Sequence, residues 1–155
     1  MNKKIKILAI SSPGGHWIQL NKICNPMEQQ FDVVYASPSA QYKSSTQSPS
    51  GKKIYAITDA SADSKLNLIP VTLQILMILI RERPNTIITT GAAPGVMAVL
   101  LGKFLPIKTI WIDSIANVKR LSRSGRMVKK HANLVITQWE DLSDDKTILY
   151  RGSVL

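Results

Sequence analysis

Apolar residues along this chain fall in short blocks rich in isoleucine, valine and threonine, and most of the blocks are separated by stretches with helical spacing. The blocks are residues 5–10, 32–36, 53–57, 86–90, 109–112 and 134–137. Strands buried on both faces of a parallel sheet read this way, because neither face is left to water. Trp17, Leu20, Cys24 and Met27 recur at three- and four-residue intervals, and Pro26 ends or kinks that predicted helix. Pro70 suits the first turn of a second helix running to Arg83, where Pro84 stops it, and residues 96–104 form a third. The alternation predicts an α/β fold with an open, mostly parallel, Rossmann-like sheet. At 155 residues the chain is expected to form one domain over 1–155, with a long polar loop at 41–52.

Two of the strand-to-helix connections are rich in glycine. Ser11-Ser12-Pro13-Gly14-Gly15-His16 follows the first block, and Thr90-Gly91-Ala92-Ala93-Pro94-Gly95 follows the fourth. A glycine turn feeding a helix leaves backbone N–H groups directed outward, and the helix dipole adds to them, so the pair suits a diphosphate-bearing ligand. Packing alone also places glycine in such turns. Neither turn carries G-x-G-x-x-G or G-x-x-x-x-G-K-[ST], which argues against a dinucleotide or Walker-type site.

Charge narrows the partners. Twenty Lys and Arg against ten Asp and Glu give +10, which calls for an acidic partner. Between Asp113 and Glu140 there is no acidic residue, and Lys119, Arg120, Arg123, Arg126, Lys129 and Lys130 crowd into that gap. Val118, Leu121 and Val128 punctuate them at helical spacing, with Ser124-Gly125 read as a break and restart. This is either a solvated basic face or an element that meets an anionic membrane surface. No aromatic residues interleave with the basic ones as nucleic-acid stacking requires, so no nucleic-acid partner is expected. Residues 66–80 are apolar nearly all round, which predicts a buried helix or an exposed patch that enters lipid or docks another chain. No stretch reaches the roughly 18 apolar residues of a spanning helix, and Met1-Asn2-Lys3-Lys4 leads straight into a strand, so no signal peptide or N-terminal anchor is expected. Cys24 lies on a core stripe and reads as packing, and one cysteine with two histidines predicts no metal site.

Further pairs join the two turns in order along nearly the whole chain: Gln19-Leu20, Trp111-Ile112-Asp113-Ser114, Asn117-Val118, Leu121-Ser122, Ser124-Gly125, Gln138-Trp139, then Tyr150 and Gly152. Together they resemble the membrane-associated subunit of bipartite UDP-sugar glycosyltransferases. These are the PssD-type proteins of bacterial exopolysaccharide and capsule synthesis, related to the anchoring subunit of the second GlcNAc transferase of asparagine-linked glycosylation. The resemblance implies a split GT-B enzyme in which this chain is the N-terminal, acceptor-side half. A separate protein would supply the UDP-sugar-binding C-terminal half, and the acceptor would be a polyprenyl-diphosphate-linked sugar at the cytoplasmic membrane face. No cofactor is implied.

The glycine turns resemble those of the peptidoglycan transferase MurG that face the lipid diphosphate, which assigns Gly14, Gly15, Gly91, Ala92 and Gly95 to the acceptor diphosphate. His16 becomes the candidate general base, since imidazole changes charge near neutral pH. Asp113, closing a strand at its carboxyl end, is a second catalytic candidate, although the family's usual Glu-Ser pair is Asp113-Ser114 here. Trp139, Tyr150 and Gly152 are expected to face the partner. Membrane attachment is expected to be peripheral, through the basic element and residues 66–80. The alternative is a non-catalytic membrane scaffold for the partner transferase.

Overall fold

Every predicted strand forms, and all of them run parallel. A computed structural model describes residues 4–38, 52–60 and 67–154; the expected loop at 41–52 lies outside the described residues except for Lys52, as does Leu66. The strands are β1 (Lys6–Ser11), β2 (Asp32–Ser37), β3 (Ile54–Ala56), β4 (Thr86–Gly91), β5 (Lys108–Ile112), β6 (Leu134–Thr137) and β7 (Ile148–Tyr150). They form one sheet in the order β3-β2-β1-β4-β5-β6-β7. The helices are α1 (Gly15–Cys24), α2 (Leu68–Glu82), α3 (Ala92–Lys103) and α4 (Arg123–Val128).

Alternation along β1 sorts its side chains onto two faces. Leu8 and Ile10 pack with Val71, Ile75 and Leu79 of α2 and Ala98 of α3, whereas Ile7 and Ala9 pack with Trp17, Leu20 and Cys24 of α1. Each fully buried Val, Leu or Ile among them contributes about 1.5–3 kcal/mol of transfer free energy, which is why these strands tolerate so little polarity. A third cluster joins Val96 and Val99 of α3 to Trp111, Leu121, Val128, Val135 and Ile148. Pro26 sits in a 3-10 turn, Asn25–Gln29, directly after α1, as its position requires. Burial, reinforced by Glu28, pushes the Cys24 thiol up to about 12, so it packs as a small apolar group.

Four expectations change. The strand β7 escaped the hydrophobic pattern because its apolar run stops at Arg151, whereas the equally short β3 is extended by Ile57; an Asp144 turn, accepting from the Lys146, Thr147 and Ile148 amides, launches β7. The third helix begins at Ala92 rather than at 96, because Pro94 occupies a first-turn position whose amide needs no intrahelical partner. Ser124-Gly125 is no break: Ser122 caps α4 by accepting from the Gly125 amide at 2.8 Å, and both residues lie inside the helix. Finally, the described part of the 66–80 segment, residues 67–80, is neither wholly buried nor wholly exposed. Val71, Ile75, Ile78 and Leu79 face the core, while Ile69, Leu73, Met77 and Ile80 form a stripe that is 55–69% exposed.

At the amino edge of the sheet, Glu82 is buried and accepts from Lys6 Nζ at 3.0 Å and from Lys53 Nζ and Tyr55 Oη at 2.5 Å. Burial acts to raise its pKa, but the hydrogen bonds from Lys53, Tyr55 and Lys6 outweigh it and bring the carboxyl down to about 2. A carboxyl whose folded pKa lies below its unfolded value stabilises the fold above the unfolded pKa, and that share is lost as pH falls towards the folded one. About 2–3 kcal/mol is therefore expected to disappear between pH 5 and pH 2. Urea unfolding of wild type and Glu82→Gln across that range checks it; a difference between the two that does not shrink with acidification would contradict it.

Candidate functional site

The chain runs from β1 outward to β3, then returns across the sheet to β4 beside β1. The helix after β1 covers one face, and the helix after β4 covers the other. Such a switch point opens a crevice at the carboxyl ends of the two central strands, where ligands of open α/β sheets bind. Both glycine turns lie at that end of the sheet, Gly14 and Gly15 exposed and Gly91 buried behind them.

They are tied to each other. His16 Nδ1 lies 2.7 Å from the Thr90 carbonyl oxygen, and Thr90 Oγ1 donates back to the His16 carbonyl at 2.7 Å. His16 is half-buried, while Gly14 and Gly15 are exposed. Gly14 has φ 81, and a side chain at Gly14 or Gly15 would meet nothing within 4 Å, so an incoming group can approach this backbone closely. Gly91 has φ 131, and a Cβ there would stand 2.9 Å from His16 Cε1. Ala92 is held at φ 60, a left-handed conformation that costs a non-glycine residue about 1–2 kcal/mol and is typical of functional turns.

Gly95 departs from its expected place at the ligand. It is buried, and a Cβ would fall 2.2 Å from Thr89 Oγ1 and 3.3 Å from the Trp111 ring, so its glycine lets α3 close onto the sheet.

Asp113 sits at the same edge but is only 2% exposed. One carboxylate oxygen accepts from Trp111 Nε1 at 3.0 Å and Ser122 Oγ at 2.5 Å; the other accepts from the Ser122 amide at 2.7 Å. A Cβ at Gly125 would stand 2.7 Å from Asp113 Oδ1, so Gly125 lets α4 close over it. The Asp113 carboxylate is thus enclosed and taken up by donors, and through Ser122 it moors the start of the basic helix.

Of the basic residues, Lys119, Arg120, Arg123, Arg126 and Lys130 are exposed and Lys129 is half-buried. Lys119 and Arg120 precede the helix in an irregular segment. Arg126 Nη1 donates to the Leu121 carbonyl, and Lys129 pairs with Asp144 at 3.4 Å. Lys119, Arg120, Arg126 and Lys129 line a cavity of about 410 Å³ floored by Leu121, Leu142 and Ile148. Trp139 is half-buried and donates from Nε1 to the Ile115 carbonyl at 2.7 Å; Tyr150 is half-buried and Gly152 exposed at φ 93.

Two residues outside the expected site organise it. Gln138, 3% exposed, donates from Nε2 to Gln19 Oε1 and to the Asp113 carbonyl, while its Oε1 accepts from the Val154 amide. It joins α1, the ends of β5 and β6, and the last described residues. A glutamine pair at 19 and 138 inside apolar surroundings was the available signal, but pairing across that separation is invisible without the fold.

A cleft of about 540 Å³ lies at the opposite, amino edge, among Lys6, Glu28, Asp32, Lys52, Lys53 and Glu82. Three of its four lysines are matched by carboxylates, Lys6 to Asp32 and Glu82, Lys52 to Glu28 and Lys53 to Glu82, while Lys4 donates to the Gln29 carbonyl. It is a charge-paired structural cleft, remote from the glycine turns.

Comparison with known proteins bears on the family and the fold. The family described as "Oligosaccharide biosynthesis protein Alg14 like" matches residues 36–154. The chain is 30% identical over 73 residues to the UDP-N-acetylglucosamine transferase subunit ALG14 of Cryptococcus neoformans var. neoformans, a match covering 44% of this chain and 32% of that one. The matched segment therefore spans about a third of that relative's length. Among solved structures, MurG of Acinetobacter baumannii superposes with a TM-score of 0.77 at 10% identity, covering 97% of this chain and 46% of that one. A UDP-GlcNAc 2-epimerase of Methanocaldococcus jannaschii gives 0.73 at 14% identity, with 96% and 46% covered. At such identities the likeness is one of fold: the Rossmann-like half of a GT-B architecture.

Proposed function

The chain belongs to the Alg14-like family of oligosaccharide biosynthesis proteins, and from that premise we propose that it is the acceptor-side subunit of a two-protein UDP-sugar glycosyltransferase. The observation that carries this reading is His16, held between two glycine turns at the switch point. The acceptor is a sugar on a polyprenyl diphosphate. Its diphosphate lies against the backbone of Gly14 and Gly15 and the first turn of α1, where amide hydrogens and the helix dipole offset its charge.

The partner supplies the UDP-sugar; UDP-N-acetylglucosamine is the sugar nucleotide in the relative's name. The acceptor hydroxyl attacks the anomeric carbon, a C–O bond forms, and the bond to UDP breaks with its electron pair leaving on the diphosphate. The hydroxyl proton passes to His16. Trp139, Tyr150 and Gly152, along the β6–β7 end of the sheet, face the partner.

Attachment to the membrane is peripheral and uses two surfaces on one side of the sheet. There α2 packs beside α3, and α3 beside α4. The Ile69-Leu73-Met77-Ile80 stripe supplies apolar area, and the basic segment supplies charge worth at most about 1 kcal/mol per residue near anionic lipid. Among the described residues no helix is long and apolar enough to cross a membrane.

The test is transfer to an acceptor carried in anionic vesicles, with this chain alone, the partner alone, and both. Turnover is expected only with both. It is expected to fall as salt rises, since screening confines the basic charges to about 8–10 Å near physiological ionic strength. Turnover by the partner alone at the full rate would remove this chain from the reaction.

A further inference from the structure

We infer that Thr90 and Gly91 are positioning residues that fix which nitrogen of His16 can take a proton. A carbonyl oxygen only accepts hydrogen bonds, so the 2.7 Å contact from Thr90 requires the hydrogen on His16 Nδ1. The lone pair of the neutral ring is then on Nε2. That is the reverse of an imidazole in water, where the Nε2–H form prevails, and the hydrogen bond made by one ring nitrogen sets the state of the other.

Two further contacts lock the arrangement. Thr90, 1% exposed, returns a hydroxyl bond to the His16 carbonyl, so the first turn of α1 cannot swing away from β4. Gly91 is the seat of the ring: a Cβ would stand 2.9 Å from Cε1 and 3.1 Å from Nδ1, closer than real side chains approach. The second glycine turn therefore serves the histidine of the first. Its glycine makes room for an imidazole rather than for a phosphate, which is a different task from that of Gly14, whose Cβ would meet open space.

The consequence for catalysis rests on the proposed role of His16 as base; the tautomer does not. The chain has two histidines, and the other provides an internal reference. His131 Nδ1 lies 3.1 Å from Lys103 Nζ, an ammonium that only donates, so His131 must carry its hydrogen on Nε2.

The experiment is long-range ¹H–¹⁵N correlation on the full chain labelled at histidine, at a pH where both rings are neutral. The expected spectrum holds one ring of each tautomer, with His16 as Nδ1–H. Gly91→Ala is expected to return His16 to the Nε2–H pattern. Gly14→Ala, which suffers comparable backbone strain without touching the ring, is expected to keep Nδ1–H. Thr90→Val is expected to lower kcat about fivefold in the two-protein enzyme, the worth of one neutral hydrogen bond, with the KM for donor unchanged and recovery in Thr90→Ser. An Nε2–H signal for wild-type His16 would overturn the inference, as would an unchanged tautomer in folded Gly91→Ala. Should Gly91→Ala fail to fold, the wild-type spectrum and the Thr90 pair still decide it. An altered tautomer with no effect on transfer would instead count against His16 as the base.

Discussion

Replacing His16 with alanine is expected to slow sugar transfer by the two-protein enzyme about 10²–10⁴-fold, the usual worth of a general base. The same change is expected to cost the fold only about 1 kcal/mol, because it removes one hydrogen bond, to the Thr90 carbonyl, from a half-buried side chain. Acceptor binding should persist, since the diphosphate meets backbone amides rather than the imidazole. Single-turnover rates paired with urea midpoints separate these effects. A full rate in His16→Ala would reduce the chain to a scaffold that recruits its partner.

The opposite pattern is expected at Asp113. Alanine there leaves the Trp111 indole N–H and the Ser122 amide without their acceptor, and it releases the hydroxyl that caps α4. Hydrogen bonds to a buried charge are worth about 1.5–3 kcal/mol each and do not add fully, so a loss of about 3–5 kcal/mol is expected. The segment carrying Lys119, Arg120 and Arg123 should loosen with it, visible as faster amide exchange from 114 to 128. Asparagine should recover only part of the loss, because one of its two positions is a donor facing donors. If Asp113→Ala kept its urea midpoint and lost turnover, the carboxylate would be doing chemistry after all.

Much of this fold could be read from the chain because its strands are buried on both faces. Residues such as Ile7, Leu8, Ala9 and Ile10 have no polar face to blur the pattern, and Pro26, Pro70 and Pro84 punctuate the helices with little ambiguity. β7 shows little in the sequence because its apolar run is cut off at Arg151, where the equally short β3 is extended by Ile57, and its pairing with β6 is what makes it a strand. Gly95 and Gly125 look like turn glycines in a sequence, but each makes room for a side chain that only the fold brings against it: Thr89 of β4, with the Trp111 ring beyond it, in one case and Asp113 in the other. His16 was legible as a candidate from its place behind Gly14-Gly15. Its partner Thr90, 74 residues away, became visible only once β1 and β4 lay side by side. The enclosure of Asp113 is hidden for the same reason, since a carboxylate at a strand's carboxyl end looks available until Trp111 and Ser122 are in place around it.

The central claim is that the crevice takes the acceptor's diphosphate and leaves the sugar nucleotide to another protein. Titration calorimetry on this chain, with a short-chain prenyl diphosphate bearing a sugar and separately with UDP-N-acetylglucosamine, tests it most directly. Saturable heat is expected with the prenyl compound and is expected to vanish in Gly14→Val, whose side chain would stand where the phosphate approaches the backbone. No heat is expected with UDP-N-acetylglucosamine. Binding of the nucleotide sugar with none of the prenyl diphosphate would contradict the account.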